Sequence, residues 1–269
     1  MPRTIDIVER KQIMLVMMDW IDSFCRANTI KYFLYGGSLI GAIRHKGYIP
    51  WDDDIDICMM RADYDRFLFL FNDPDGRYRL ITPDNNSAYY LPTAKVYDDT
   101  TVLSERISNG IPIGVYIDVF PLDYCSDDFQ KACSYGKRIG IYRKIVDIKN
   151  ISIDPKRSMI KNAALILFKV LVAPFSRRFA IKRICFLSER RKNKPSKYVG
   201  QFTKMTYASR EIYESKWFDV ALNGTFEGRD YIIPKEYDNV LRTEYGEYMV
   251  LPPKEKQVTH HVSDAWWKN

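Results

Sequence analysis

Several absences bound this 269-residue chain before any motif is considered. Its five cysteines, Cys25, Cys58, Cys125, Cys133 and Cys185, are an odd set without a Cys-x-x-Cys pair, so neither a disulfide framework nor a Cys-rich zinc site is indicated. They are expected as buried thiols in a reducing cytoplasm. No uncharged stretch reaches the roughly 18 residues of a membrane-spanning helix. Charges at Arg3, Asp6, Glu9, Arg10 and Lys11 interrupt any N-terminal apolar run that could act as a signal peptide. Internal repeats and low-complexity linkers are also missing. The expectation is a globular protein, soluble or peripheral to a membrane.

With 46% apolar side chains, the chain can bury one substantial core, or a core with a smaller satellite. The 19 tyrosines and 14 phenylalanines suit a thick core and also a pocket walled by ring faces. The net charge of +7 hides a division. Between Lys156 and Lys197 there are thirteen Lys and Arg against one acid, Glu189. That segment carries +12, which leaves the rest of the chain at −5. Such a basic block calls for an anionic partner, a membrane surface or a polyanion.

Apolar residues at helical spacing (Ile13, Met14, Met17, Trp20, Ile21, Phe24) predict an amphipathic helix over residues 5–27. Residues 32–35 read as a buried strand that enters a tight turn at Gly36-Gly37-Ser38, followed by a short helix over 39–44. Residues 51–60 read as an extended chain with Asp52, Asp54 and Asp56 on one side and Ile55 and Ile57 on the other. A helix is expected over 61–71. Strands are expected over 89–97, 101–104 and 114–120, the last placing Asp118 between Ile117 and Val119. From 127 to 188 the pattern is helical, broken at Pro155 and Pro174, and 199–267 reads as short strand-like and turn-rich pieces. The fold class is therefore mixed α/β.

Three carboxylates stacked on one face repel unless a cation compensates them. Transfer of a phosphoryl-containing group needs that combination, because metal ions held by carboxylates neutralise the phosphate and align nucleophile and leaving group. Asp54 and Asp56, at i and i+2, can share metal, with Asp118 from a neighbouring strand as the third ligand. The small turn at Gly36, Gly37 and Ser38 lets backbone N–H groups approach phosphate oxygens. The competing reading is an exposed aspartate turn beside a plain glycine bend. Interleaving with Trp51, Ile55 and Ile57 favours a site close to the core.

Over Tyr35-Gly36-Gly37-Ser38-Leu39-Ile40-Gly41-Ala42-Ile43-Arg44-His45-Lys46-Gly47-Tyr48-Ile49-Pro50-Trp51-Asp52-Asp53-Asp54-Ile55-Asp56-Ile57 the sequence resembles the LicD family of phosphocholine transferases. That family sits in the nucleotidyltransferase-fold superfamily beside the fukutin-type transferases. Lys95-Val96-Tyr97-Asp98-Asp99-Thr100, Tyr116-Ile117-Asp118-Val119-Phe120-Pro121-Leu122-Asp123, Tyr245-Gly246-Glu247-Tyr248-Met249, Pro252-Pro253 and His260-His261 extend the resemblance, whereas the basic middle segment is unmatched.

The resemblance implies one LicD-like catalytic domain over 1–269. A nucleotidyltransferase-like mixed sheet flanked by helices occupies about 30–125, a basic helical insertion about 127–197, and a C-terminal extension about 198–269 packs on the core and completes the site. It also implies transfer of a phospho-alcohol, typically phosphocholine from CDP-choline, to a hydroxyl of a surface glycan or its lipid-linked precursor, with release of CMP. Asp54 and Asp56 match the metal-binding pair and Asp118 the third carboxylate, for two Mg²⁺ or Mn²⁺ ions. The long spacing from Ser38 leaves Asp52-x-Asp54 as an alternative metal pair.

Arg44 and Lys95 are candidate partners of a diphosphate donor. His45 is a candidate base for the acceptor hydroxyl, and at most one of His260 and His261 can face the site. Asp53 belongs with these as a candidate substrate contact. A quaternary ammonium is recognised by ring faces, for which Tyr48, Trp51, Tyr89, Tyr90, Trp217 and Trp266 are available. Leu165, Phe168, Val172 and Phe175 accompany the cations of the basic segment, so it reads as a surface for anionic lipid on the inner face of the cell membrane. No nucleic-acid-binding motif is present. Transfer of glycerol, ribitol or sugar phosphates, or nucleotide binding without turnover, are the alternatives.

Overall fold

The computed structural model describes residues 2–104, 111–155, 157–204, 209–258 and 264–268. A short strand β1 (Thr4–Ile5) leads into helix α1 (Ile7–Ala27), whose first turn is capped by the Asp6 carboxylate accepting from the Glu9 N–H at 2.8 Å. Its buried stripe, including Ile13, Met14, Met17, Met18 and Ile21, lies against the sheet.

That sheet is assembled from β2 (Phe33–Leu34), β3 (Asp56–Met60), β4 (Tyr78–Ile81), β5 (Ala94–Asp98) and β7 (Tyr116–Ser126), in the order β2-β3-β7-β5-β4. Only β3 and β7 run parallel; the other neighbours are antiparallel. Between β2 and β3 the chain forms helix α2 (Gly36–Ile40), which widens into a π-turn over Gly41–His45 and stops at Lys46 in the left-handed region. Helix α3 (Arg61–Leu70) follows β3. Strand β6 (Thr101–Ser104) and the late strand β12 (Asp264–Trp267) join β1 in a small sheet of order β1-β12-β6.

Beyond β7 come α4 (Phe129–Asn150), α5 (Met159–Leu171) and α6 (Arg177–Glu189), with Pro155 and Pro174 in the connections. Helices α4 and α6 share a second apolar cluster that includes Ile139, Val146, Ile184 and Phe202. Strands β8 (Tyr198–Gly200) and β9 (Ile212–Glu214) then extend the sheet from the far half of β7. A hairpin of β10 (Ala221–Phe226) and β11 (Arg229–Pro234) turns through Glu227 and Gly228, both at positive φ as a tight two-residue hairpin turn requires, and helix α7 (Tyr237–Tyr245) follows. Among the described residues no helix is long and apolar enough to cross a membrane, and all five cysteines are free thiols.

The mixed α/β class holds, and several expected boundaries move. The strand expected over 51–60 begins only at Asp56, because the Asp52 N–H bonds back to Ile49 O at 2.9 Å and turns the aspartate run before it can extend. The strand expected from residue 89 begins at Ala94, since Tyr89 and Tyr90 anchor a separate small cluster. The helix expected over 39–44 starts at Gly36 itself. Strand β4 and helix α7 have no counterpart in the sequence reading.

Candidate active site

Two register relations build the site. Asp118 of β7 stands opposite Asp56 of the parallel β3 and opposite Lys95 of the antiparallel β5. Register partners on adjacent strands point to one face about 4.7–4.9 Å apart, so Asp56, Asp118 and Lys95 form a row across three strands. Lys95 Nζ donates to Asp118 Oδ2 at 3.0 Å, and both side chains are nearly closed to solvent. Two residues before Asp118 on the same face, the Tyr116 ring centroid lies 3.1 Å from that ammonium. Two residues after, Phe120 holds the Lys204 ammonium 4.9 Å from its ring centroid. Much of Lys204 is exposed, yet its charge faces the carboxylates. Desolvation would lower its pKa, but Asp56, Asp118 and Asp54 together raise it, so it stays protonated.

Asp56 is the most constrained acid. Its backbone N–H donates to Ser38 Oγ and its carbonyl accepts from Tyr35 N–H, each at 2.9 Å, which clamps β3 to the start of α2. Its Oδ1 is sealed from solvent and accepts no hydrogen bond. Burial raises its pKa well above the usual carboxylate range, Lys204 opposes, and Asp54, Asp118 and Asp52 add to the rise. An enclosed carboxylate oxygen without a donor, among other carboxylates, is the situation a bound cation relieves. Among the described residues no three His, Cys, Asp or Glu side chains stand ready-made around a single metal position. Among the described residues, positive charge facing the row comes from Lys95 and Lys204.

Both glycines of the turn make room for carboxylates. Gly36 has φ +56°, and a Cβ there would sit 3.5 Å from Asp56 Oδ2 and 3.4 Å from the Tyr245 hydroxyl. At Gly37 a Cβ would collide with the Asp52 carboxylate, which covers that backbone. Burial, then Asp54 and Asp53, push the Asp52 carboxyl up to about 7, and Asp52 and Asp54 are hydrogen-bonded to each other. Asp53 turns away: it is buried in an ion pair with Arg10 of α1.

The remaining sequence candidates separate into two groups. Arg44 donates Nη1 to the carbonyl of Tyr248 and Nε to His45 Nδ1 at 3.3 Å, which ties the π-turn to the segment after α7. His45 meets Trp51 edge-on at 6.3 Å between centroids, and its pKa is lowered by burial and then by Arg44. Tyr48 is drawn elsewhere, its hydroxyl donating to Lys11 O at 3.1 Å and its ring lying 4.6 Å from the Lys11 ammonium. Tyr89 and Tyr90 are buried, and Trp217 is half-buried against the main core. Trp266 lies in β12, between β1 and β6. His260 and His261 lie outside the described residues. A separate cavity of 610 Å³, lined by residues such as Arg61, Pro121, Glu189 and Thr203, lies at the far end of β7 and includes none of the row.

Sequence reasoning missed Lys204 and a buried network behind the turn. The Tyr35 and Tyr213 hydroxyls are 2.9 Å apart, and Tyr213 donates to Glu244 Oε2 at 2.9 Å. Tyr245, 43% exposed, tucks its hydroxyl inward toward Gly36 and Glu244. Its motif was legible as part of the resemblance, whereas no local pattern marks Lys204.

The family model described as LicD/FKTN/FKRP, nucleotidyltransferase domain, matches residues 29–155. The chain is 29% identical over 272 residues to the lipopolysaccharide cholinephosphotransferase LicD of Haemophilus influenzae, an alignment covering 96% of this chain and 97% of that protein. Shorter matches join it to two uncharacterized proteins. One, of Rickettsia typhi, is 43% identical over 58 residues, 21% of this chain and 19% of its own. The other, of Rickettsia prowazekii, is 56% identical over 36 residues, 13% and 14%. The family match spans the Gly36-Gly37-Ser38 turn and the whole row of Asp56, Lys95 and Asp118, and the long alignment carries the likeness through α7. The chain is thus similar to the LicD family over residues 29–155, and to one LicD cholinephosphotransferase along nearly its whole length.

Proposed function

We propose that this chain is a phosphotransferase that moves phosphocholine from CDP-choline to a hydroxyl of a surface glycan or its lipid-linked precursor and releases CMP. The cholinephosphotransferase that it resembles along nearly its whole length supports the reaction class and, as a lipopolysaccharide enzyme by name, a lipopolysaccharide acceptor. The observation that carries the reading is the row of Asp56, Asp118 and Lys95 with the Lys204 ammonium set against it. The acceptor oxygen forms a bond to the choline-bearing phosphorus as the bond from that phosphorus to the bridging oxygen breaks. CMP leaves with the electron pair, and the hydroxyl proton passes to a carboxylate of the cluster. Lys95 and Lys204 neutralise and orient the diphosphate, and Ser38 keeps Asp56 in place.

Mg²⁺ or Mn²⁺, as one or two ions held by Asp54, Asp56 and Asp118, would supply further charge neutralisation of the donor. The sealed, partnerless Asp56 Oδ1 fits such an ion. Trp51, half-buried next to Asp52, offers a ring face for the quaternary ammonium. With a lipid-linked acceptor, the enzyme works at the inner face of the cell membrane.

The test is release of CMP from CDP-choline, CDP-glycerol and CDP-ribitol, with candidate glycans, in Mg²⁺, in Mn²⁺ and in chelator. Ion-dependent release from CDP-choline is the expected result. Preference for another alcohol would reassign the donor, and silence with every donor and ion would leave a nucleotide-binding protein without turnover.

A further inference from the structure

Helix α5 is built inside out. Of its thirteen residues only Leu165 is buried. At 100° per residue, the side opposite Leu165 carries Met159, Ile160, Ala163, Leu167, Val170 and Leu171, all apolar. Met159 is 88% exposed, Ile160 83% and Val170 65%. The polar residues of the helix, Lys161, Asn162 and Lys169, lie instead on the flanks of Leu165. A surface helix of a soluble protein has the reverse arrangement, with its apolar stripe toward the core. Exposed aromatic surface continues beyond the helix, where Phe175 and Phe179 stack at 6.1 Å between centroids and Phe186 is open on α6. An apolar surface of this continuity marks a binding face.

We propose that α5, with the exposed face of α6, lies in one leaflet of an anionic membrane. Charge complementarity selects this occupant. On α6 the residues turned away from buried Ala180 and Ile184 include the exposed Arg178 and Lys182, set beside Phe179 and Phe186. They would meet lipid phosphates while the phenylalanines and the outer face of α5 enter the acyl boundary. A second copy of the chain on this face would bring two such cationic surfaces together, from a segment with thirteen Lys and Arg against one acid. At thirteen residues α5 is about 20 Å long, which suits a helix in the plane of the interface.

The patch is also tied to the site. Arg177 at the start of α6 donates to Asn150 Oδ1 at 3.1 Å, and Asn150 donates to the Tyr90 carbonyl at 3.1 Å, just ahead of the strand that carries Lys95. The inference rests on the patch alone and stands whichever donor the enzyme uses.

The full-length protein is sedimented with vesicles of phosphatidylglycerol and phosphatidylethanolamine, and with phosphatidylcholine vesicles as the neutral control, at low and high salt. Wild type is expected in the anionic pellet, with weaker capture at high salt and on phosphatidylcholine. Leu167→Glu with Leu171→Glu should reduce capture by about tenfold or more with an unchanged thermal midpoint, because both side chains project outward. Leu167→Trp should blue-shift its emission on anionic vesicles. The proposal is overturned if wild type stays in the supernatant with anionic vesicles or if the double-Glu variant sediments as well as wild type. A stable dimer in light scattering that the double-Glu variant dissociates, without vesicle capture, would overturn it as well.

Discussion

Strand β7 carries an aspartate near each end, and both meet a cation, but in different ways. Asp123 takes a two-pronged grip from Arg61, with Nε at 2.6 Å from Oδ1 and Nη2 at 2.9 Å from Oδ2, and is fully buried. The planar guanidinium occupies both carboxylate oxygens and closes them to any other ligand. Asp118 accepts one ammonium hydrogen bond, from Lys95 to Oδ2, with the Lys204 charge also facing it, and its neighbour across the register, Asp56, has an oxygen with no hydrogen bond at all. Met60 and Leu122, by contrast, face each other at the Asp123 end. One end of the β3–β7 pair is therefore satisfied and structural, and the other keeps unsatisfied negative charge beside the Lys95 and Lys204 ammonium groups. A buried charge cluster left in that condition costs stability and is the mark of a site rather than of a scaffold.

The sharpest way to test this contrast is to neutralise one acid at each end. Asp56→Asn should lower kcat/KM for CMP release by about 10³-fold or more, roughly 4 kcal/mol of transition-state stabilisation. Its thermal midpoint should hold or rise, because repulsion with Asp54, Asp118 and Asp52 is relieved. If activity survives, the open end is not the reaction centre. At the closed end, Asp123→Asn should cost about 3 kcal/mol in denaturant unfolding, because buried Arg61 loses its two-pronged partner and keeps only the looser pairs with Asp65 at 3.3 Å and Glu189 at 3.8 Å. Activity per folded molecule should change little. A stable Asp123→Asn protein with lost turnover would erase the distinction between the two ends.

How much of this was legible in the sequence follows the range of the interactions involved. Helix α1, the turn at Gly36 and the boundaries at Pro155 and Pro174 are written in local periodicity and in Gly and Pro, and they appear where expected within a few residues. The association of Asp56 with Asp118 was legible from alternation and resemblance together. The division among the three preceding aspartates was not, because it depends on Arg10, 43 positions away, drawing Asp53 into α1. Lys204 was invisible for the same reason, since only the β7–β8 pairing brings it to Phe120. A lysine whose ammonium lies over the Phe120 ring and among acids should act on donor affinity. Lys204→Met should therefore raise KM for the CDP-alcohol by about 10- to 100-fold, some 1–3 kcal/mol, and an unchanged KM would take Lys204 out of donor binding.

Glu244 extends the comparison to a buried acid whose hydrogen bonds come from phenol hydroxyls rather than from a guanidinium or an ammonium. Tyr213 donates to its Oε2, and burial raises its pKa above the usual glutamate range against the hydrogen bonds of Tyr213 and Tyr245. The folded protein thus holds this proton more tightly than the unfolded chain does. The sign follows from linkage: the folded state is favoured while Glu244 is protonated, and stability falls as pH rises from the ordinary glutamate value toward the raised folded one. Glu244→Gln keeps a carbonyl acceptor for Tyr213 and has no proton to lose. Its stability relative to wild type should be near zero below about pH 4 and grow in its favour as pH rises toward 8, read from urea midpoints across that range. A difference that stays flat with pH would mean that the phenols support an ionised Glu244 as fully as Arg61 supports Asp123, and the contrast between closed and open carboxylates would then rest on the β7 pair alone.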